Sequence, residues 1–360
     1  MNIVKSTRKY EDWLRRHTEV LEPDLDLKHQ HMKESLFMFL RATFYRWVQV
    51  WPEVCSDLVT APKVLAVGDL HVENFGTWRD AEGRLIWGIN DFDEAYEMPY
   101  ANDLVRLAAS AAVAIEEKHL AINKKSACEA IMDGYIEGMK NGGQPYVLEE
   151  ENDWLRRIAL GELRDPVHFW KKMDSLELVK GSIPLSAADA LQHLLPEKDL
   201  RCKIVRRIAG LGSLGHERLV AIAEWHGGRI AREAKALAPS SCYWAGEDHG
   251  APEIMYPTIV SRAVRCADPF VQLRGKWIVR RLSPHCCRLE LQAMPADRDE
   301  LKLLRAMGAE TANVHLGTPA ASREIQRHLK SQPRGWLHNS AKQMAKAVEA
   351  DWRAWKKSGF

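Results

Sequence analysis

Residues 67–76 read VGDLHVENFG, which sets an acid, an imidazole and an amide (Asp69, His71 and Asn74) in one stretch between Gly68 and Gly76. Further on, NDFDEA adds the carboxylates of Asp91 and Asp93. A carboxylate can orient a hydroxyl and take its proton, and an amide oxygen with carboxylates is the hard-oxygen set that Mg²⁺ favours. Phosphoryl transfer to a hydroxyl asks for this combination, because the metal offsets phosphate charge while the carboxylate directs the nucleophile. On that chemistry Asp69 is the expected catalytic carboxylate with His71 orienting the loop beside it, and Asn74, Asp91 and Asp93 are the expected metal ligands. Asp and Asn also satisfy backbone groups in ordinary turns. That simpler account covers either residue alone, and the joint pattern argues for chemistry.

A second constellation is Gly210-Leu-Gly212-Ser213-Leu-Gly215. A dinucleotide fingerprint of this spacing would precede a helix. Here the apolar run RLVAIAEW follows, then HGG at 226–228 and another strand-like run. Strand, glycine loop and strand, with a cation on the third strand, is the arrangement a protein kinase uses over nucleotide phosphates. Gly210, Gly212, Ser213 and Gly215 are therefore expected to cradle phosphates, Lys235 to supply the cation, and ATP and Mg²⁺ to be the cofactors. Arg232 lies three residues from Lys235 and must point to the opposite face of a strand. It is expected nearer solvent, paired with a surface carboxylate. A hairpin turn without a ligand is the plain alternative for the glycines.

Rival chemistries use fewer of these residues. A metallophosphoesterase could take Asp69 and His71 as a metal pair, but no GNH segment accompanies them. An aspartyl phosphatase built on Asp91-Phe-Asp93 would have no use for the glycine segment. A pseudokinase-like nucleotide-binding module stays open, since motifs show capacity and not turnover. His285-Cys286-Cys287 has no partner spacing for zinc. Asp103 and Arg106 are expected to bolt the following helix to the Asp69 loop.

Several elements must position these groups. Leu36, Leu40, Phe44, Trp47 and Trp51 share one face of an expected helix. KVLAV at 63–67 and RLIWGI at 84–89 read as strands with the Asp69 loop between them. Residues 102–141 read as helical up to the stop NGGQP, and 150–195 as further helices broken at Pro166 and Pro184. After Pro196 come the strands around the glycine segment and KWIVRRL at 276–282. Helical periodicity returns in DRDELKLLRAMGAETANVHL and in the C-terminal run through Trp352 and Trp355. The expected fold class is α+β, with a helical lobe over 1–196 carrying the catalytic and metal loops. A small antiparallel-sheet lobe over 197–283 carries the glycine loop and lysine, and helices over 284–360 return to the first lobe.

With 360 residues, 46% hydrophobic and 28% charged, the composition suits a soluble protein with two domains or one two-lobed domain. The 51 basic and 49 acidic side chains nearly cancel, so nothing argues for nucleic acid. Seven cysteines without a CxxC pair read as reduced thiols. No signal-like or membrane-spanning run is seen, and LVRLAASAAVAI is short and carries Arg106. The expectation is a cytoplasmic protein with a small-molecule acceptor as its partner, no nucleic acid and no membrane. Oligomeric state is not legible.

A kinase presents its glycine loop first, yet Asp69 precedes Gly210, and the residues before Gly68 are too few for a small lobe. Circular permutation resolves the order, since domains tolerate new termini at exposed sites. GDLHVENFG, NDFDEA, GLGSLG and KALAPS together, with SLFMFLRATFYRW and WIVRRLSP, resemble the bacterial family called domain of unknown function 2252 over most of the chain. The resemblance implies a two-lobed, kinase-like and aminoglycoside-phosphotransferase-like fold in permuted order. It implies Asp69 as catalytic carboxylate, Asn74 and Asp91 as metal ligands, Gly210, Gly212 and Gly215 as phosphate loop, and Lys235, five residues before Ser240, as phosphate lysine. Kinases pair that lysine with a helix glutamate, and between 245 and 265 only Glu247 and Glu253 are available, neither in a convincing helix.

Overall fold

The computed structural model describes residues 1–149, 151–159, 165–246, 251–286, 288–291 and 299–360. Helix α1 (Ile3–His17) precedes the aromatic-rich run, which forms three helices where one was expected: α2 (Glu22–Glu34), α3 (Leu36–Ala42) and α4 (Phe44–Val54). Ser35 is extended and its hydroxyl accepts the Met38 N–H, capping α3 and ending α2. Thr43 turns its hydroxyl back to the Phe39 carbonyl and breaks the next junction. Leu36, Leu40, Phe44, Trp47 and Trp51 are all buried nonetheless.

Strand β1 (Lys63–Ala66) leads into the Asp69 loop, which ends at β2 (Phe75–Arg79), followed by β3 (Leu85–Ile89) and β4 (Tyr96–Pro99). The loop thus joins β1 to β2, a strand not expected because its first residues belong to the motif itself. β1 pairs antiparallel with β4. After helices α5 (Tyr100–Glu116) and α6 (Lys124–Asn141), β5 (Tyr146–Val147) adds a third strand to the β2–β3 hairpin. α5 is buried from Tyr100 through Ala114. A helix with an apolar surface all round belongs at the centre of a core.

Next come α7 (Asp153–Ala159), α8 (Pro166–Asp174), β6 (Glu177–Leu178), α9 (Leu185–His193), β7 (Lys203–Arg206), β8 (Arg218–Trp225) and β9 (Gly228–Ala236). Short helices α10 (Ser241–Ala245) and α11 (Tyr256–Arg262) lead to β10 (Gln272–Arg274) and β11 (Trp277–Leu282). These strands form one antiparallel sheet in the order β10-β11-β9-β8-β7-β6. Strand alternation gives it two different faces. Leu219, Ala221, Ala234, Ala236 and Val279 pack under Ala187, Ala190 and Leu191 of α9. On the other face Val205, Val220, Ile222, Ala231 and Leu282 pack against Met173 of α8. The same face continues into Arg218, Glu233, Lys235 and Arg280, which lie in register across β8, β9 and β11. α8, β6 and α9 all precede residue 197 yet cover or extend this sheet, because its apolar faces need a helix on each side.

The chain closes with α12 (Glu300–His315), α13 (Ser322–Ser331) and α14 (Trp336–Lys356). α14 buries Leu337, Ala341, Met344, Val348 and Trp355 and lies along α5, while Trp352 is half-buried. The architecture is α+β with small antiparallel sheets. The six described cysteines are free thiols. No helix among the described residues is long and apolar enough to cross a membrane.

α6 and α12 cross at backbone contact. A Cβ on Gly308 would lie 2.0 Å from the Ile131 carbonyl oxygen, and one on Gly134 would lie 1.8 Å from that of Arg305. Gly308→Ala is therefore expected to cost about 1–3 kcal/mol by forcing the helices apart, read as a lower urea midpoint. Two residues further along α12, buried Glu310 accepts from the Ile89 N–H at 3.2 Å and Asn313 Nδ2 at 2.7 Å, and burial pushes its pKa up from 4.5 to about 7. Between those two values the folded chain holds the proton and the unfolded chain has released it, so stability falls as pH rises through this window. Glu310→Gln is expected to remove that fall. The variant should gain on the order of 1–3 kcal/mol over wild type on going from pH 4.5 to pH 8, measured by denaturant titration at both values.

Candidate active site

The Asp69 loop is held from below by α5. Both oxygens of Asp103 accept backbone N–H groups, Val67 at 2.7 Å and Gly68 at 2.9 Å, and one also faces His315 Nε2 at 3.1 Å. Ser110 Oγ accepts the Val72 N–H at 3.0 Å. Asn74 then ties this loop to the one after β3, donating from Nδ2 to the carbonyls of Asp69 at 3.1 Å and Asp91 at 3.2 Å. The two carboxylate loops are thereby fixed to each other before any ligand is considered.

Asp69, His71, Asn74, Asp91 and Asp93 line one wall of an open cleft, and Gly210, Gly212 and Ser213 line the facing wall. The empty space of the cleft, which opens to solvent, is about 800 Å³. A Cβ on Gly212 would lie 3.2 Å from the Arg41 carbonyl oxygen and 3.6 Å from Asp69 Oδ2. Lys28 Nζ donates to the Gly212 carbonyl at 2.9 Å, anchoring the loop to α2. Gly215 is set back from the cleft wall. It lies against Leu25 and Val20, and its carbonyl accepts the Leu21 N–H at 2.9 Å. Its position in the motif serves the loop's anchorage. Ser213, Leu214 and His216 donate their N–H groups within the loop, which coils into successive turns.

Asp69 meets a guanidinium that has no exposed surface. Arg106 donates to Asp69 Oδ1 through Nε at 2.7 Å and through a second nitrogen, gives another hydrogen bond to the Leu40 carbonyl at 2.9 Å, and lies over Phe44 and Trp47. Burial raises the Asp69 pKa and Arg106 opposes the rise. Arg106, expected to bolt the following helix to the Asp69 loop, does so through the carboxylate on which the site centres. His71 is buried, and burial followed by the charges of Arg41 and Arg106 keeps it well below its ordinary pKa. Its Nδ1 accepts the Glu73 N–H at 3.2 Å, so the neutral ring carries its proton on Nε2.

Lys235 is buried and pairs with Asp93, and with Asp91 at 3.5 Å. Burial and the neighbouring Asp91 raise the Asp93 pKa. Burial acts on Asp91 too, but Lys235 and the hydrogen bond from Asp93 outweigh it and lower the Asp91 pKa. Two carboxylates this close are pushed apart in pKa. Asn74 Oδ1 and Asp93 Oδ1 are buried acceptors without a hydrogen-bond partner. A hard cation would satisfy both, and Mg²⁺ needs only one or two carboxylates when water and phosphate complete its shell. Asn74, Asp91 and Asp93 fit that ion. Among the described residues no group of three or more His, Cys, Asp or Glu side chains is arranged to hold a metal.

Arg232 and Lys235 point to opposite faces of β9, but among the described residues Arg232 is not paired with the surface carboxylate expected for it. The arginine is buried, donates to the Leu194 and Ala231 carbonyls, and stacks over Phe270 at 4.7 Å. α9 covers this face, which is why solvent exposure was the wrong expectation. No glutamate pairs with Lys235 among the described contacts. Glu253 is exposed outside any regular element, Glu247 lies outside the described residues, and Glu233 is held by Arg207, by Arg218 at 3.1 Å and by Arg280 at 2.8 Å. Ser240 and Ser241 instead hold Glu94, with hydroxyls at 2.9 Å and the Ser241 N–H at 2.7 Å from its Oε2.

Tyr10, Lys28, Arg41, Tyr45, Glu94 and Arg288 also line the cleft. Glu94 stands inside the NDFDEA motif, where an adjacent acid was visible. Arg41 and Arg288 carried no spacing signal, because α3 and the bridge of Arg288 to Gly76 on β2 bring them in from distant sequence. At the HCC segment the His285 carbonyl accepts the Thr77 hydroxyl and Cys286 accepts from Ser283. Cys287 lies outside the described residues.

Residues 21–168 match the model of a family described as uncharacterized proteins conserved in bacteria, DUF2252. The match takes in the Asp69 and Asp91 loops and ends ahead of the glycine segment. No curated protein and no solved structure matches the chain.

Removing Arg106 would leave Asp69 buried without its counter-charge. Arg106→Leu is expected to cost about 3–5 kcal/mol, with much of the loss recovered in the Arg106→Leu/Asp69→Asn double variant. Denaturant midpoints of the four proteins measure the coupling, and additive losses would show that the pair does not act as a unit.

Proposed function

We propose that the chain is an ATP- and Mg²⁺-dependent phosphotransferase acting on a hydroxyl of a small-molecule acceptor, with kinase-like lobes in circularly permuted order. The observation that carries this reading is the shared cleft, where Asp69, Asn74, Asp91 and Asp93 face Gly210, Gly212 and Ser213. Lys235 behind the two aspartates and the unpartnered oxygens of Asn74 and Asp93 support it. His71 gives less support to a metallophosphoesterase, since its Nδ1 is engaged by a backbone N–H and cations surround the ring. Six free thiols agree with a reducing cytoplasm.

In this mechanism the acceptor oxygen bonds to the γ-phosphorus, the bond from that phosphorus to the β–γ bridging oxygen breaks, ADP departs, and the hydroxyl proton passes to Asp69. Arg106 fixes Asp69 Oδ1 and leaves Oδ2 toward Gly212 and the cleft. Burial raises the pKa of the carboxylate and so strengthens it as a base, while the guanidinium opposes the rise. Held by Asn74, Asp91 and Asp93, Mg²⁺ supplies charge neutralisation to the phosphates. Lys235 adds a positive charge from the sheet, and the glycine loop closes the opposite side.

Asp69→Asn is expected to keep ATP affinity within a few-fold and lose roughly 10²–10⁴ in turnover, since a proton acceptor acts in the transition state. Asp91→Ala should lose Mg²⁺-dependent nucleotide binding and turnover together. Lys235→Ala should weaken ATP binding while Arg232→Ala spares it. Calorimetric ATP titration and a phosphoryl mass shift on a metabolite from cell extract measure these effects. Equal loss of ATP affinity in Asp69→Asn and Asp91→Ala would contradict the assigned roles.

A further inference from the structure

Arg41 and Arg288 both line the cleft that holds Asp69. Arg41 is nine-tenths buried. One terminal nitrogen binds Glu73 at 2.6 Å, its guanidinium lies 5.5 Å from the centre of the Phe37 ring, and its Nε is buried without a partner. Burial, with the neighbouring Arg288 charge next in size, lowers the Arg41 pKa to about 10. Arg288 also has a buried Nε without a partner, and it pairs at 3.9 Å with half-exposed Glu290. The other acids nearby are committed: Glu73 also accepts the Leu291 N–H, and Asp69 is held by Arg106. Two guanidiniums lining one cleft, each with a buried Nε that has no partner, are an arrangement that an oxyanion completes, because their fork geometry matches carboxylate and phosphate.

We infer that Arg41 and Arg288 form an anion subsite beside Asp69, and that the acceptor is a hydroxyl compound which also carries a carboxylate or phosphate group. The word acceptor rests on the phosphotransferase reading, whereas the anion site does not. Such an anion would dock the acceptor by its charged end and leave its hydroxyl free for Asp69. The chemistry selects against neutral polyols and against polyamine-like acceptors.

The test titrates inorganic phosphate, and separately glycerate, into the full chain by calorimetry, with and without saturating β,γ-imido-ATP and Mg²⁺. The expected result is that at least one anion binds alongside the nucleotide analogue. Arg288→Gln should weaken that binding at least tenfold while the analogue's affinity stays within twofold, and Arg288→Lys should retain part of it. Thermal transitions of both variants check that they fold. Displacement of the anion by imido-ATP would assign the arginines to the nucleotide's own terminal phosphate and overturn the inference. So would anion binding that Arg288→Gln leaves unchanged, or no anion binding at all. Anion binding that depends on Arg288 in a chain that fails to bind imido-ATP would keep the subsite and remove the phosphotransferase reading.

Discussion

The ion pair between Arg106 and Asp69 constrains the site more than any other contact. A guanidinium without exposed surface must be neutralised and hydrogen-bonded where it lies, and Arg106 does this through Nε and one terminal nitrogen with groups from separate parts of the chain, while its other terminal nitrogen has no hydrogen-bond partner. Its carboxylate comes from the loop after β1, its carbonyl acceptor from the end of α3, and its aromatic contacts from α4. The break at Thr43 accompanies the local turn of the chain near Leu40, and so helps shape this meeting point. Asp69 cannot shift without exposing a charge, which makes the loop rigid where a reacting group would need it rigid.

The sheet solves a different problem with the same economy. Strand alternation gives its inner face an apolar end under α8 and a charged end toward the cleft. Arg218, Glu233, Lys235 and Arg280 keep one another company there, three cations and one anion, and Asp91 and Asp93 supply the missing negative charge from the loop after β3. The attraction between the two layers is therefore concentrated at the site. The glycine loop adds tethers, Lys28 to the Gly212 carbonyl and Leu21 to that of Gly215.

Much of this was legible in the residue pattern. The strands around the glycine segment, the helices over 102–141 and the buried face of α14 follow from periodicity, and the two acidic motifs announced their neighbourhood by composition. Three things were not. The breaks at Ser35 and Thr43 come from side-chain hydrogen bonds that compete with a helix whose apolar spacing runs on undisturbed. β2 begins inside the Asp69 motif, where polar residues mask strand character. Arg41 and Arg288 enter through tertiary contacts, and a sequence gives an isolated arginine no address, whereas Arg106 was expected to tie its helix to the Asp69 loop. The match to the bacterial family takes in the two acidic loops and ends ahead of the glycine segment.

The crossing order of the chain has a consequence for how the protein comes to exist. α5, the most buried helix, is made early, yet the elements that cover it include α12 and α14, made after the whole sheet layer. The floor of the cleft lies near residues 41–94 and its roof near 210–216. Contacts so distant in sequence form late, after loop-closure entropy has been overcome. During synthesis the apolar α5 must therefore wait with its surface uncovered, a state that exposes the nascent chain to aggregation. A ribosome-bound fragment ending before α12 would carry both acidic loops without the helices that bury their support, so the site would mature only as the last helices dock.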